Sequence, residues 1–379
     1  MKKYLVLFVS IFMVSFFPPG FVSAEMSNTE LEQEIKALKE KLEKDKGSTI
    51  DALKSINELI SISGCIEIEA GQTKGYEDED ESDITLATVE LGIDVDLNDW
   101  ITGHILLLWE EDDTEPVDLD EGTITLGNLD KFPLYLTAGK MYVPFGNFES
   151  SMISDPLTLE IAETRESALL VGFEQEGFSA SIYAFNGDID EDGDDNEVKC
   201  YGANAGYGFE NDDIGLDIGI GWMNSIADSD GIGDALEDEN ATLDDYEAGI
   251  AAHAVLTVGH LYLIGEYIAA LDDIDYNAYD DSGAFLDTDS MDKPKAWNIE
   301  AGYTMDVQGR ETTFAIAYQG TDDMWGALPE EKYLVSAGVA LAENVGLAVE
   351  YAHAEDYDED DGGTDDDEKT ITVQLSLEF

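Results

Sequence analysis

The last nine residues, Ile371-Thr-Val-Gln-Leu-Ser-Leu-Glu-Phe379 ("ITVQLSLEF"), alternate apolar and polar without an exception and end on an aromatic ring. Successive side chains of a strand point to opposite faces, so Ile371, Val373, Leu375, Leu377 and Phe379 form one apolar face and Thr372, Gln374, Ser376 and Glu378 one polar face. A terminal strand of a water-soluble domain can fray at little cost and needs no such regularity. A strand that closes a barrel between lipid and water does need it, because an open edge in hydrocarbon leaves backbone groups unpaired.

The same period of two recurs upstream. In "ATVELGIDVDL" (87–97) the apolar set is Ala87, Val89, Leu91, Ile93, Val95 and Leu97, and in "IGLDIGIGW" (214–222) Ile214, Leu216, Ile218, Ile220 and Trp222 alternate with Gly and Asp. Sixteen such segments can be read: about 62–73, 84–97, 100–110, 122–129, 134–142, 167–174, 178–186, 198–209, 214–223, 245–258, 260–271, 296–307, 311–320, 332–342, 345–354 and 370–379. Most approach the ~9 to 11 residues of a tilted membrane strand. Long acidic links such as "KGYEDEDESD", "GDIDEDGDDNE" and "EDYDEDDGGTDDDEK" follow the odd strands, and short ones such as "ND", "QEG", "VG", "QG" and "EN" follow the even strands. Greek-key links of a sandwich do not keep that rhythm, whereas an up-and-down barrel with long outer loops and short periplasmic turns does. The expected fold is therefore all-β, a 16-stranded up-and-down antiparallel transmembrane β-barrel over 62–379 in the outer membrane, with both termini periplasmic.

Aromatics near strand ends, among them Trp100, Trp109, Tyr183, Tyr201, Tyr207, Trp222, Tyr267, Trp297, Tyr303, Tyr318, Tyr333 and Tyr351, fit an interfacial girdle. Upstream, Lys2, Lys3, an apolar run and "FVSA" before Glu25 predict a signal peptide over 1–24. In 25–61, Leu31, Ile35, Leu38 and Leu42 form a heptad seam, a short helical coiled-coil segment that calls for partner helices. Porins of this size are commonly trimers, and three such helices could meet on the threefold axis of a homotrimer.

The 86 acidic residues against 18 Lys and Arg give a formal net charge of −68, which excludes nucleic acid and makes cations the natural counterparts. Two cysteines, Cys65 and Cys200, are too few for a disulfide framework. His104, His253, His260 and His353 are scattered and no serine sits in a nucleophile elbow, so no enzyme is expected. Parity sends Glu67, Glu69, Glu90, Asp94, Asp96 and Glu350 to the lumen wall, with Asp217, Glu247, Glu266 and Glu300.

After the fifth strand comes a different link, "MYVPFGNFESSMISDPLTLEIAETRESA", mixed rather than acidic. Its apolar residues Phe145, Phe148, Met152, Ile153, Leu157, Leu159 and Ile161 need a place to pack, and the inside of the barrel offers one, so 143–166 is expected to fold into the pore. Asp155, Glu160, Glu163, Arg165 and Glu166 would form the constriction, with Lys140 on the wall and acid facing Arg165. No cofactor is expected beyond Ca²⁺ in acidic outer loops, where Asp188, Asp190 and Asp192 repeat the start of a calcium loop that ends on Lys199 instead of Glu. Such loops beside the phosphate-rich outer leaflet would need divalent cations to bridge them to lipopolysaccharide.

The stretch Gly139–Phe173, "GKMYVPFGNFESSMISDPLTLEIAETRESALLVGF", resembles the corresponding part of LbtU-type siderophore porins of Gram-negative outer membranes. That resemblance implies a signal peptide, a short coiled coil, a 16-strand barrel and uptake of ferric siderophores. "GKMYVPFG" is also similar to phosphate- and polyphosphate-selective porins, which present Lys and Arg, whereas this chain has ten basic residues from Ile62 onward. A general cation-preferring diffusion porin and a structural, Ca²⁺-bound surface barrel remain open as other readings.

Overall fold

The computed structural model describes Lys36 and residues 59–76, 80–111, 116–189, 191, 197–238, 240–280, 284–324, 328–359 and 362–379. The expected signal peptide, the heptad seam and the candidate ligands Asp190 and Asp192 lie outside them. In chain order the strands are β1 (Ile60–Lys74), β2 (Asp80–Asn98), β3 (Ile101–Trp109), β4 (Asp118–Asn128), β5 (Phe132–Tyr142), β6 (Arg165–Gln175), β7 (Phe178–Phe185), β8 (Cys200–Glu210) and β9 (Ile214–Met223). They continue with β10 (Thr242–Leu243), β11 (Gly249–Val258), β12 (Leu261–Ala270), β13 (Ile274–Tyr279), β14 (Phe285–Met291), β15 (Lys295–Val307), β16 (Arg310–Asp322), β17 (Glu331–Ala342), β18 (Val345–Glu355) and β19 (Asp367–Glu378). Two short helices interrupt the series, α1 (Leu157–Ala162) and α2 (Asp230–Asp238).

Sixteen of these strands form one closed antiparallel barrel, each paired with its neighbours in the chain, and β1 meets β19 at the seam. The seam register sets Glu67 against Ser376, Glu69 against Gln374 and Gly71 against Thr372, so the polar face of the C-terminal strand looks the same way as the carboxylates of β1. Gly64 and Phe379 exchange two backbone hydrogen bonds of 3.0 Å, which leaves the last residue paired rather than frayed. All sixteen periodic segments of the sequence correspond to barrel strands. The remaining three, β10, β13 and β14, form a small separate sheet in outer links outside the sixteen periodic segments.

The outward face carries the hydrophobicity. Ile84, Ile182, Ile220 and Ile316 are 59% to 73% exposed, and alternate positions of β19, from Ile371 to Phe379, are exposed as well. A band of isolated-chain exposure on this scale fits lipid and not water. Among the described residues no helix is long and apolar enough to cross a membrane, so the strands do the crossing. One girdle assignment is corrected: Tyr183 is 3% exposed and shares the inner face of β7 with Ser181 and Phe185, because its parity is opposite to that of Ile182.

The interior is divided. The apolar core lies at the outer end of one side, where Phe145, Ile161 and Ala162 of the long third loop pack with Met223, Ile268, Ile274 and Met291 and with Ile226, Ile232 and Leu236 from the link that contains α2. Two close approaches explain glycines there: a Cβ on Gly221 would lie 2.1 Å from the Phe145 carbonyl oxygen, and one on Gly231 would lie 1.9 Å from that of Glu160. On the other side, β1 to β4 and β19 present Glu, Asp, Thr, Gln and His inward, as a wet lumen requires.

Candidate functional site: the pore constriction

The third loop, 143–164, enters the barrel and follows its inner wall. A loop buried in this way has backbone N–H groups that must find acceptors. Three strand carboxylates provide them. Asn147 and Phe148 donate their N–H groups to the two oxygens of Glu266 on β12 at 2.6 and 3.0 Å, and the Thr158 hydroxyl adds a third bond at 2.9 Å. Glu300 on β15 accepts the Ser151 N–H at 3.0 Å, the Ser150 hydroxyl at 2.9 Å and the Tyr262 hydroxyl at 3.0 Å. Glu350 on β18 accepts the Ile153 N–H at 2.6 Å, the Ser154 N–H at 3.3 Å and the Ser154 hydroxyl at 2.7 Å. Gln319 on β16 completes the series by accepting the Leu157 N–H at 3.3 Å.

The donors fall at 147 and 148, 150 and 151, then 153 and 154, a step of three along an extended segment. Phe148 adopts φ of 57°, which turns two consecutive N–H groups toward one carboxylate in the manner of an anion-binding nest. The three glutamates are 5%, 1% and 3% exposed. This changes the role expected of Glu350: parity puts it on the inner face, but the loop covers it, so it acts as a latch rather than as a charge on the water-filled wall. Glu266 and Glu300 share that fate.

The charged residues of the loop distribute over two places. Arg165 stands at the start of β6, and the acids it pairs with lie on β4. It forms an ion pair with Asp120 and lies 3.5 Å from Asp118, both on β4, while the Tyr142 hydroxyl donates to Asp120 at 3.0 Å. Lys140 stands 3.9 Å from Asp118. β4 begins before the periodic segment 122–129 and takes in Asp118 and Asp120, of which Asp120 is only 2% exposed. Glu163, half-buried beside this group, is pushed up to about 8 by burial first and then by Asp230, Asp155 and Asp120. Glu160 is exposed, and Glu166 is half-buried at the start of β6.

Asp155, exposed at the loop's turning point, lies within electrostatic reach of Glu67 on β1. Around it the open side of the lumen carries the remaining predicted acids. Glu69 accepts from Gln374 at 2.9 Å, Glu90 lies 3.6 Å from the Cys65 sulfur, and Asp94 pairs with His104 at 2.7 Å. Asp96 is exposed on the next inward position toward the short turns. Asp217 pairs with His253 at 2.9 Å, and Glu247 belongs to the outer link before β11 rather than to a strand. A polar cavity of about 510 Å³ opens between Glu69, Thr73, Glu81, Thr370 and Thr372. In the outer links, Asp188 is exposed, and the buried Asp228 accepts from the Cys200 thiol at 2.9 Å.

A closed sixteen-strand barrel with an apolar outer band, a polar lumen and, among the described residues, no long apolar helix is a porin-type protein of the outer membrane. The chain matches no protein-family model. It is similar to a UPF0422 protein of Coxiella burnetii, at 29% identity over 308 residues, covering 79% of this chain and 64% of the relative. A UPF0422 protein of Legionella pneumophila is 27% identical over 328 residues, covering 79% of this chain and 59% of the relative. The chain thus spans less than two thirds of these relatives.

Among solved structures the barrel resembles OprB of Pseudomonas putida, with a TM-score of 0.59, 12% identity and coverage of 88% of this chain and 97% of that one. It also resembles the outer membrane channel DcaP of Acinetobacter baumannii, with a TM-score of 0.57, 13% identity and coverage of 84% and 97%. An anion-selective porin from Comamonas acidovorans gives 0.56, 12%, 84% and 99%. At such identities the likeness is one of fold, and selectivity rests with the residues of each lumen.

Proposed function

We propose that the protein is a passive, water-filled channel that prefers cations, and that its solute is a ferric siderophore of neutral or positive net charge. The observation that carries the reading is the lining of the open lumen. Glu67, Glu69, Glu90, Asp94, Asp96 and Asp155 face a path in which the wall from β1 to β3 offers His104 as its one basic side chain among the described residues. A low-dielectric wall with charges of one sign focuses the field, concentrating cations and repelling anions. The latched loop narrows the passage beside Asp155, and the Arg165 cluster borders it. The siderophore itself is supported by the resemblance of Gly139–Phe173, and the acidic lining selects among such complexes by charge. Association as a homotrimer, and Ca²⁺ in the acidic outer loops near Asp188, Asp190 and Asp192, belong to the same reading.

The test is a planar-bilayer recording in a KCl gradient, followed by liposome swelling with ferric chelates matched in size and differing in charge. A zero-current potential on the cation side and faster entry of neutral and cationic chelates are expected. Anion selectivity overturns the acidic-lumen reading, and a barrel that never conducts overturns the channel itself.

A further inference from the structure

The inner face from β4 to β8 differs from the acidic wall of β1 to β3. Leu134 of β5 is exposed on the outer face, so Tyr135 points inward, and its direct cross-strand partners on both sides are glycines, Gly127 of β4 and Gly172 of β6. A Cβ on Gly172 would lie 2.1 Å from Cζ of the tyrosine ring and 2.4 Å from its hydroxyl oxygen. One on Gly127 would lie 2.6 Å from the tyrosine Cβ. The ring therefore lies across Gly172, with one face on the backbone and the other turned to the lumen.

In front of that ring is a cavity of about 290 Å³. Its floor is apolar: Tyr135 is joined by Leu170 of β6, and by Met141, Tyr142 and Pro144 where β5 runs into the third loop. Its rim is polar, with Glu121 and Thr123 of β4, Ser179 of β7 and Asn204 of β8. The Ser181 hydroxyl donates to the Asn204 amide oxygen at 2.6 Å, which leaves the NH₂ group of Asn204 as the donor. Glu121 is an acceptor, and the hydroxyls of Thr123 and Ser179 serve either way. Among the described residues no lysine, arginine or histidine lines the cavity.

These groups restrict what can bind. An aromatic face holds a ring by its apolar side, and donors and acceptors around it satisfy hydroxyl groups at the ring's edge. The volume is at the lower limit of the ~300 to 1,000 Å³ usual for small-molecule sites, so the cavity takes a single ring rather than a whole chelate. One carboxylate without a base beside it disfavours an anion. A pyranose combines an apolar CH face with an edge of hydroxyl groups and carries no charge. We infer that the cavity on Tyr135 is a binding subsite for an uncharged hydroxylated ring, a monosaccharide, alongside the acidic path. The inference rests on the inner wall of the barrel and not on the siderophore reading.

The experiment is ligand-observed saturation-transfer NMR of the mature protein in a detergent without a sugar head group, titrated with D-glucose, D-glucuronate and cyclohexylammonium. Heat-modifiable gel migration checks that each variant is folded. Glucose should bind saturably in the millimolar range, about tenfold more weakly to Tyr135→Ala, and within about twofold of wild type to Tyr135→Phe, which keeps the stacking face. Asn204→Leu should weaken glucose severalfold through the lost donor. Glucuronate should bind wild type more weakly than glucose does, and Glu121→Gln should narrow that difference. A signal that never saturates, an unchanged affinity in Tyr135→Ala, or tighter binding of cyclohexylammonium than of glucose each overturns the inference. Binding is read without conduction, so a barrel that conducts no ions leaves this inference standing, and failure here leaves the channel reading standing.

Discussion

Replacing Glu350 by glutamine should detach the tip of the pore loop while leaving the barrel intact. The carboxylate takes the Ile153 N–H at 2.6 Å on one oxygen and the Ser154 N–H and hydroxyl at 3.3 and 2.7 Å on the other. In glutamine one of those oxygens becomes an NH₂ group, so at least one backbone N–H faces a donor, and the remaining bonds lose the charge that strengthens them. A hydrogen bond to a charged group contributes ~1.5 to 3 kcal/mol, and a buried orphan costs ~1 to 3 kcal/mol. A local loss on the order of 3 kcal/mol raises the population of the detached tip roughly a hundredfold. Glu266 and Glu300 still hold residues 147 to 151, so the change is confined to the turn that carries Asp155. Single-channel recording should show a noisier open state with brief excursions to a wider level, and limited proteolysis should cut the variant near 152 to 156. Unchanged current noise together with unchanged protease resistance would refute the latch.

Four further outcomes follow from the same geometry. Glu163 keeps its proton up to about pH 8, so cation preference should rise between pH 7 and 9 and the step should vanish in Glu163→Gln. Because the folded state holds that proton while the unfolded chain releases it near the ordinary value of 4.5, folding stability falls as pH rises from there to about 8 and is level above, which chemical denaturation across pH checks. Asp155→Asn should lower, and Arg165→Ala raise, the cation-to-anion permeability ratio by about twofold each, since the first removes a free acid and the second uncovers Asp118 and Asp120; zero-current potentials that shift in neither variant exclude a part for both in selectivity. Gly221→Ala drives a methyl into the Phe145 carbonyl, 2.1 Å away, and should unseat the start of the loop at a cost of a few kcal/mol, read as a lower melting temperature and a larger conductance.

What the sequence could disclose follows from the range of each signal. Alternation is local, so strands such as β2 and β19 and their inward sets could be read residue by residue, and the contrast of long and short links fixed the up-and-down order. Parity also put Glu266, Glu300 and Glu350 on the correct face. It could not reveal that each sits under the third loop, because the donors lie 108 to 197 residues away in the chain. The β-bulge where Leu106 and Leu107 change register against β4 hid Asp120 in the same way: an irregular strand start in an acidic stretch looks like loop. The strands β13 and β14 in "DIDYNAYDDSGAFLDTDSM" escaped because their exposed face is as acidic as the loops around them.

The latch also has an order in time. Residue 153 is held by residue 350, so the narrow part of the pore cannot be completed by the N-terminal half alone. Until β18 is in place the tip lacks the carboxylate that holds it against the wall. The carboxylate that pins the loop therefore makes the constriction a joint product of both halves of the chain.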